Sequence, residues 1–147
     1  MKRNLENLSM TLSSNQVDTD RYTEFVNEVT SKESKSYSDF DRRLFDLQKD
    51  IQVERLLTAA LGICAEGGEF TEVVKKIVFQ GKPVNKDNIF HMKRELGDIM
   101  WYVAQACMAL DTDFNEIIEM NVDKLKARYP GGEFNVYQSE NRKEGDL

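Results

Sequence analysis

Between residues 50 and 79 the apolar side chains fall on two helical stripes at once. One stripe holds Val53, Leu56, Leu57, Ala60, Leu61 and Cys64; the other, rotated from it, holds Ala59, Ile63, Phe70, Val73 and Ile77. Recurrence at three- and four-residue steps predicts a helix, and two apolar sides predict neighbours on both. Gln80-Gly81-Lys82-Pro83 ends it, because Gly permits a left-handed cap and Pro cannot continue the helix. The next helix is expected from residues 86–88 to 110. Only Gln105 is polar between Ile99 and Leu110, so this helix should be central. After the turn Asp111-Thr112-Asp113, the spacing of Asp113 and Glu116 fits a capping box. The helix that follows presents Phe114, Ile117, Ile118, Val122 and Leu125, reaches about Arg128, and stops at Pro130-Gly131-Gly132.

Upstream the pattern is weaker. Tyr22, Phe25, Val26 and Val29 predict a one-faced helix over residues 18–30, and residues 31–36 have a linker's composition. Residues 40–50 are weakly helical. Residues 1–17 read as a flexible arm, and residues 135–147 as a polar, mobile tail. No segment keeps a strand's two-residue period. The expectation is an all-α protein of four-helix-bundle type, with one domain over residues 18–134 and its characteristic motifs within 50–134.

Composition narrows the class without naming a function. With 147 residues, 40% hydrophobic and 31% charged, the chain can bury a core of its own. A net charge of −6 argues against binding nucleic-acid backbone, which needs a basic face. There is no apolar leader and no run approaching a membrane span, so a cytoplasmic protein without membrane partners is expected. The two cysteines, Cys64 and Cys107, have no CxxC spacing and lie on apolar stripes, which predicts buried free thiols.

Two acidic steps change this picture. Glu66-Gly67-Gly68-Glu69 and Glu95-Leu96-Gly97-Asp98 each place two carboxylates three residues apart. On a helix that is about 60° of rotation and about 4.5 Å of rise, so each pair shares a face. Both pairs adjoin apolar stripes, and neither helix offers enough Lys or Arg at matching positions to neutralise them. Buried unpaired carboxylates cost several kcal/mol each, and a bound divalent cation resolves both the burial and the mutual repulsion. Oxygen donors without nearby His or Cys favour Mg²⁺, with Mn²⁺ as a substitute. Gly67, Gly68 and Gly97 each cost about 1 kcal/mol relative to Ala inside a helix. Their presence suggests that another helix or a ligand approaches closely there.

The order Glu66-x-x-Glu69, residues 70–94, then Glu95-x-x-Asp98 resembles the metal signature of the MazG-like all-α nucleoside triphosphate pyrophosphohydrolases. The words Ala65-Glu66-Gly67-Gly68-Glu69 and Glu95-Leu96-Gly97-Asp98-Ile99-Met100-Trp101-Tyr102 match as well. So does Asn121-Val122-Asp123-Lys124-Leu125-Lys126-Ala127-Arg128-Tyr129-Pro130. The resemblance spans about residues 50–134. It implies hydrolysis of a (deoxy)nucleoside triphosphate between the α and β phosphates, giving a monophosphate and pyrophosphate. It implies Glu66, Glu69, Glu95 and Asp98 as metal ligands, with Glu66 or Glu69 also serving the attacking water. Asn121 and Lys124 carry over as sugar or phosphate contacts. Arg128 divides between a phosphate contact and a charge at the helix C-terminus, and Tyr102 between base or sugar contact and interhelical packing.

Other residues carry less. Trp101 reads as a core or interface side chain, His91 as a surface or cap residue, and Lys75-Lys76 as a solvated pair. One copy has too few helices to cover Trp101, Tyr102 and Met108, so a homodimer or homotetramer with its site near the interface is expected. A specialised pyrophosphohydrolase of the phosphoribosyl-ATP type and a non-enzymatic helical interaction module are the competing readings.

Overall fold

The structure is a computed structural model that describes residues 17–141. All six elements among them are α-helices: α1 (Thr19–Val29), α2 (Tyr37–Leu47), α3 (Val53–Phe79), α4 (Lys86–Ala109), α5 (Phe114–Arg128) and α6 (Val136–Glu140). The fold class is therefore all-α, as expected. The expected N-terminal arm lies outside the described residues except for its last position. The expected tail begins instead with the short helix α6, whose N-cap Asn135 accepts from the Gln138 N–H.

The chain separates into two compact units, one ending at Asp46 and one beginning at Leu47. The first holds α1 and nearly all of α2, and the linker residue Lys35 donates through Nζ to the α1 carbonyl of Asn27 at 2.6 Å. Neither helix buries a residue. Tyr22 and Val29 of the expected apolar face stand exposed.

The second unit is built on α3 and α4, the pair that packs extensively. Its contacts run in opposite chain directions: Arg55 meets Gln105 at 3.0 Å, and further along α3 the position of Gly62 lies against Tyr102. The two helices thus form an antiparallel hairpin. Its turn follows from local chemistry: Gly81 takes φ +70°, and Asn85 caps α4 by accepting from the Asn88 N–H. The buried apolar set is small, comprising Val53, Ala59, Val73, Cys107 and Ala109.

The expected pair of buried thiols needs correction. Cys107 is buried, whereas Cys64 is exposed. α4 covers the α3 face bearing Ala59 and Val73. On the other apolar stripe Val53 is buried at the start of the helix, but Leu57 and Leu61 are exposed like Cys64. At the start of α5, Asp113 Oδ1 accepts from the N–H groups of Asn115 and Glu116 at 2.7 and 3.0 Å. The Glu116 carboxylate binds the Thr112 hydroxyl.

Candidate metal centre

The antiparallel hairpin brings the two acidic steps to the same level. Glu66, Glu95 and Asp98 offer carboxylate oxygens within 4.8 Å of one another, and Glu69, His91 and Glu95 form a second such trio. Glu95 belongs to both. It is only 6% exposed and is the buried charged residue of the described chain. Glu66 is half-buried, and Glu69 and Asp98 reach solvent. The other three acidic residues singled out in the sequence are thus gathered around the buried carboxylate of Glu95.

The charges are left largely uncompensated. Among the described residues no Lys or Arg forms an ion pair with Glu66, Glu69, Glu95 or Asp98. Burial pushes the Glu66 carboxyl above its ordinary value of 4.5. The neighbouring charge of Glu69, a hydrogen bond with Glu95 and the charges of Asp98 and Glu95 add to the rise. A carboxyl raised this way lacks a positive neighbour. Less than two turns further along α3 the situation reverses. Lys75 and Lys76 both bind Glu72, the latter at 3.0 Å, and hold its carboxyl down to about 2. The donor set around Glu95, rich in oxygen and short of cations, fits a hard divalent ion.

His91 was expected at the surface or in a cap, and its side chain is indeed about half exposed. Its Nε2 nevertheless lies 2.9 Å from Glu95 Oε1. The sequence carried a signal for this: His91 precedes Glu95 by four residues, which puts both on one helix face. Beside this pair is a cleft of about 390 Å³, lined in part by Gly68, Glu69, Glu72, Lys76, Lys82 and His91.

Other candidates sit elsewhere. Asn121, Lys124 and Arg128 all lie on α5, which does not pack extensively on α3 or α4. Asn121 is exposed, and Lys124 and Arg128 are half-buried. Tyr102 lies at the α3–α4 contact, with Trp101 set edge-on to its ring at 4.8 Å and 88°. The glycine expectation needs correction too. A Cβ at Gly67, Gly68 or Gly97 would meet nothing within 4 Å, so among the described residues no other helix makes the close approach expected there, and the space is open to a ligand. The close approach is at Gly62, where a Cβ would come within 2.1 Å of the Tyr102 ring.

Residues 54–132 match the family described as the MazG nucleotide pyrophosphohydrolase domain. Over 81 residues the chain is 36% identical to the Gene 37 protein of Mycobacterium phage L5, covering 54% of this chain and 71% of that protein. No solved structure matches the chain. The matched span takes in α3, α4 and α5, and with them both acidic steps.

Proposed function

The chain belongs to the MazG nucleotide pyrophosphohydrolase family, and from that premise we propose that it hydrolyses (deoxy)nucleoside triphosphates at the α–β phosphate bond with Mg²⁺. The products are a nucleoside monophosphate and pyrophosphate. The observation that carries this reading is the gathering of Glu66, Glu69 and Asp98 around the buried Glu95 without a lysine or arginine partner. In this reading the catalytic domain spans residues 18–134, with its characteristic motifs within 50–134.

In this reading Glu66, Glu69, Glu95 and Asp98 hold the cation, and Mn²⁺ is its substitute. A divalent ion bound there supplies charge neutralisation on the phosphates and acidifies the attacking water. Glu66 and Glu69 serve that water: one orients it or accepts its proton while the other stays with the metal. Lys76 and Lys82 line the cleft beside Glu69, which puts positive charge within the space open to a polyphosphate. Asn121 and Lys124, at i and i+3 on α5, are assigned to the sugar and phosphates, and Arg128 extends the same face. Tyr102 is assigned to the base or sugar, through the edge of its ring not turned to Gly62.

The sparing contact of α5 with α3 and α4 bears on assembly. So does the exposed apolar surface on the hairpin, including Leu61 at 72%, Phe79 at 80% and Trp101 at 54%. Both support a homodimer or homotetramer in which α5 and the acidic cluster come together near the interface.

The deciding experiment measures pyrophosphate release from a panel of NTPs, dNTPs and phosphoribosyl-ATP, with Mg²⁺ and with EDTA. Release from nucleoside triphosphates, abolished by EDTA, is expected. Glu69→Gln and Asp98→Asn should each lower the rate on the order of 100-fold, about 2.7 kcal/mol of lost transition-state stabilisation. Full activity in either variant would remove the site assignment. Release from phosphoribosyl-ATP alone would transfer the protein to a specialised activity on the same centre.

A further inference from the structure

We infer that His91 is a positioning residue of the acidic centre. It holds Glu95 in place through the contact of Nε2 with Oε1, and so sets the geometry in which the divalent cation is bound. This rests on the reading of the acidic cluster as a cation site, and it adds a residue that the two acidic steps do not contain.

Glu95 is the pivot of the cluster. It is the member common to both trios, so its orientation bears on every arrangement of ligands the cluster can offer. It is 6% exposed, so water contributes little to fixing it. A buried carboxylate can rotate about its terminal torsion, which has a broad minimum, unless neighbours fix it. Glu66 hydrogen-bonds Glu95 from α3, and a support on its own helix remains to be found. Among the described residues, the basic side chain that reaches it is His91, 2.9 Å away from Oε1. The four-residue step along α4 makes the contact local. The backbone that positions Glu95 therefore positions its donor as well.

An exposed i, i+4 pair of this kind would contribute little, because water competes for both partners. Here the two ends differ. The imidazole is half in solvent on the cleft wall, while the carboxylate it binds is buried. Asymmetry of that sort suits a support that tunes a ligand from outside, as hydrogen bonds to metal-bound carboxylates commonly do. A histidine ring also has few torsions, so it loses less freedom than a lysine would in holding one geometry. Finally, the second trio places His91 and Glu69 within 4.8 Å, so the same ring borders ligand groups from both helices.

The test is Mn²⁺ binding by the full chain, followed by electron paramagnetic resonance of the free ion and by calorimetry, without nucleotide. His91→Ala should weaken Mn²⁺ binding about 10-fold or more, within the range seen when supports of metal ligands are removed. His91→Gln places an amide N–H at nearly the same reach and should restore binding to within about threefold of the original. Thermal melting of the metal-free variants should stay close to the parent, since the ring is half exposed. Unchanged binding in His91→Ala would overturn the inference. Equal weakening in the Ala and Gln variants would also overturn it, since the imidazole nitrogen would then be a ligand itself. Glu95→Gln separates the two levels. If it leaves Mn²⁺ binding intact, the cation site itself is wrong; if it abolishes binding while His91→Ala does not, only the role of His91 fails.

Discussion

Glu66 and Glu72 lie less than two turns apart on α3, yet their carboxyl groups are pushed in opposite directions. Glu72 has Lys75 and Lys76 beside it, whereas Glu66 has burial, Glu69, Glu95 and Asp98. The raised value of Glu66 means the folded protein holds that proton more tightly than the unfolded chain. Without metal, its contribution to stability is full below 4.5 and is lost as pH rises through the raised folded value. Cation binding runs the other way, because the ionised form is the ligand, so affinity should grow across the same window. Melting temperature in EDTA is expected to fall across that window as pH rises, and Glu66→Gln should flatten the dependence. Added Mg²⁺ should raise the melting temperature most at the upper end of the window. At this scale the four acidic residues could be found from spacing alone, since a three-residue step on a helix is local geometry. His91 was missed because its importance comes from the burial of its neighbour, and burial is not written in a four-residue interval.

α3 and α4 meet where a glycine leaves room for a ring. A Cβ at Gly62 would fall 2.1 Å from Tyr102 Cδ1 and Cε1, and the ring cannot yield without disturbing Trp101, set edge-on to it. Gly62→Ala is expected to destabilise the protein by about 1–3 kcal/mol through overpacking. Gly67→Ala is the contrasting case. Open space surrounds that position, so removing a helical glycine should stabilise by about 0.5–1 kcal/mol. Chemical denaturation of both variants checks the pair, and the same sign for each would refute the distinction. Helix boundaries were legible where they are set by nearby residues read directly, such as the cap Asp113 and Gly81, which takes φ +70°. The break between α2 and α3 was less so. Residues 48–52 carry no Pro or Gly, and the chain turns there through bonds such as Asp50 N–H to the Leu47 carbonyl at 3.0 Å.

As a whole molecule, the chain buries a small apolar core and leaves Leu57, Leu61, Val78, Phe79, Phe90, Met100 and Trp101 of the hairpin exposed. Surface of this kind is rarely left open on a stable monomer. Light scattering at micromolar concentration is expected to give a dimer or tetramer, with a melting temperature that rises with protein concentration. A monomer with concentration-independent melting would count against the assembly, and with it against a site completed near an interface. The sequence by itself determined helices α1, α3, α4 and α5 to within a few residues, and the carboxylate pairs, because each depends on residues within a turn or two; it did not show α6 or the break between α2 and α3. Only the tertiary structure decided which of the two apolar stripes of α3 meets α4. That choice buries Ala59 and Val73, leaves Cys64 exposed and puts Gly62 rather than Gly67, Gly68 or Gly97 at the close contact. Both stripes have helical period and similar apolarity, so nothing local ranks them. What ranks them is the packing of a second helix whose own face must fit. The same packing makes Glu95 a buried carboxylate with a histidine at its oxygen, where spacing had shown an acidic step like the other.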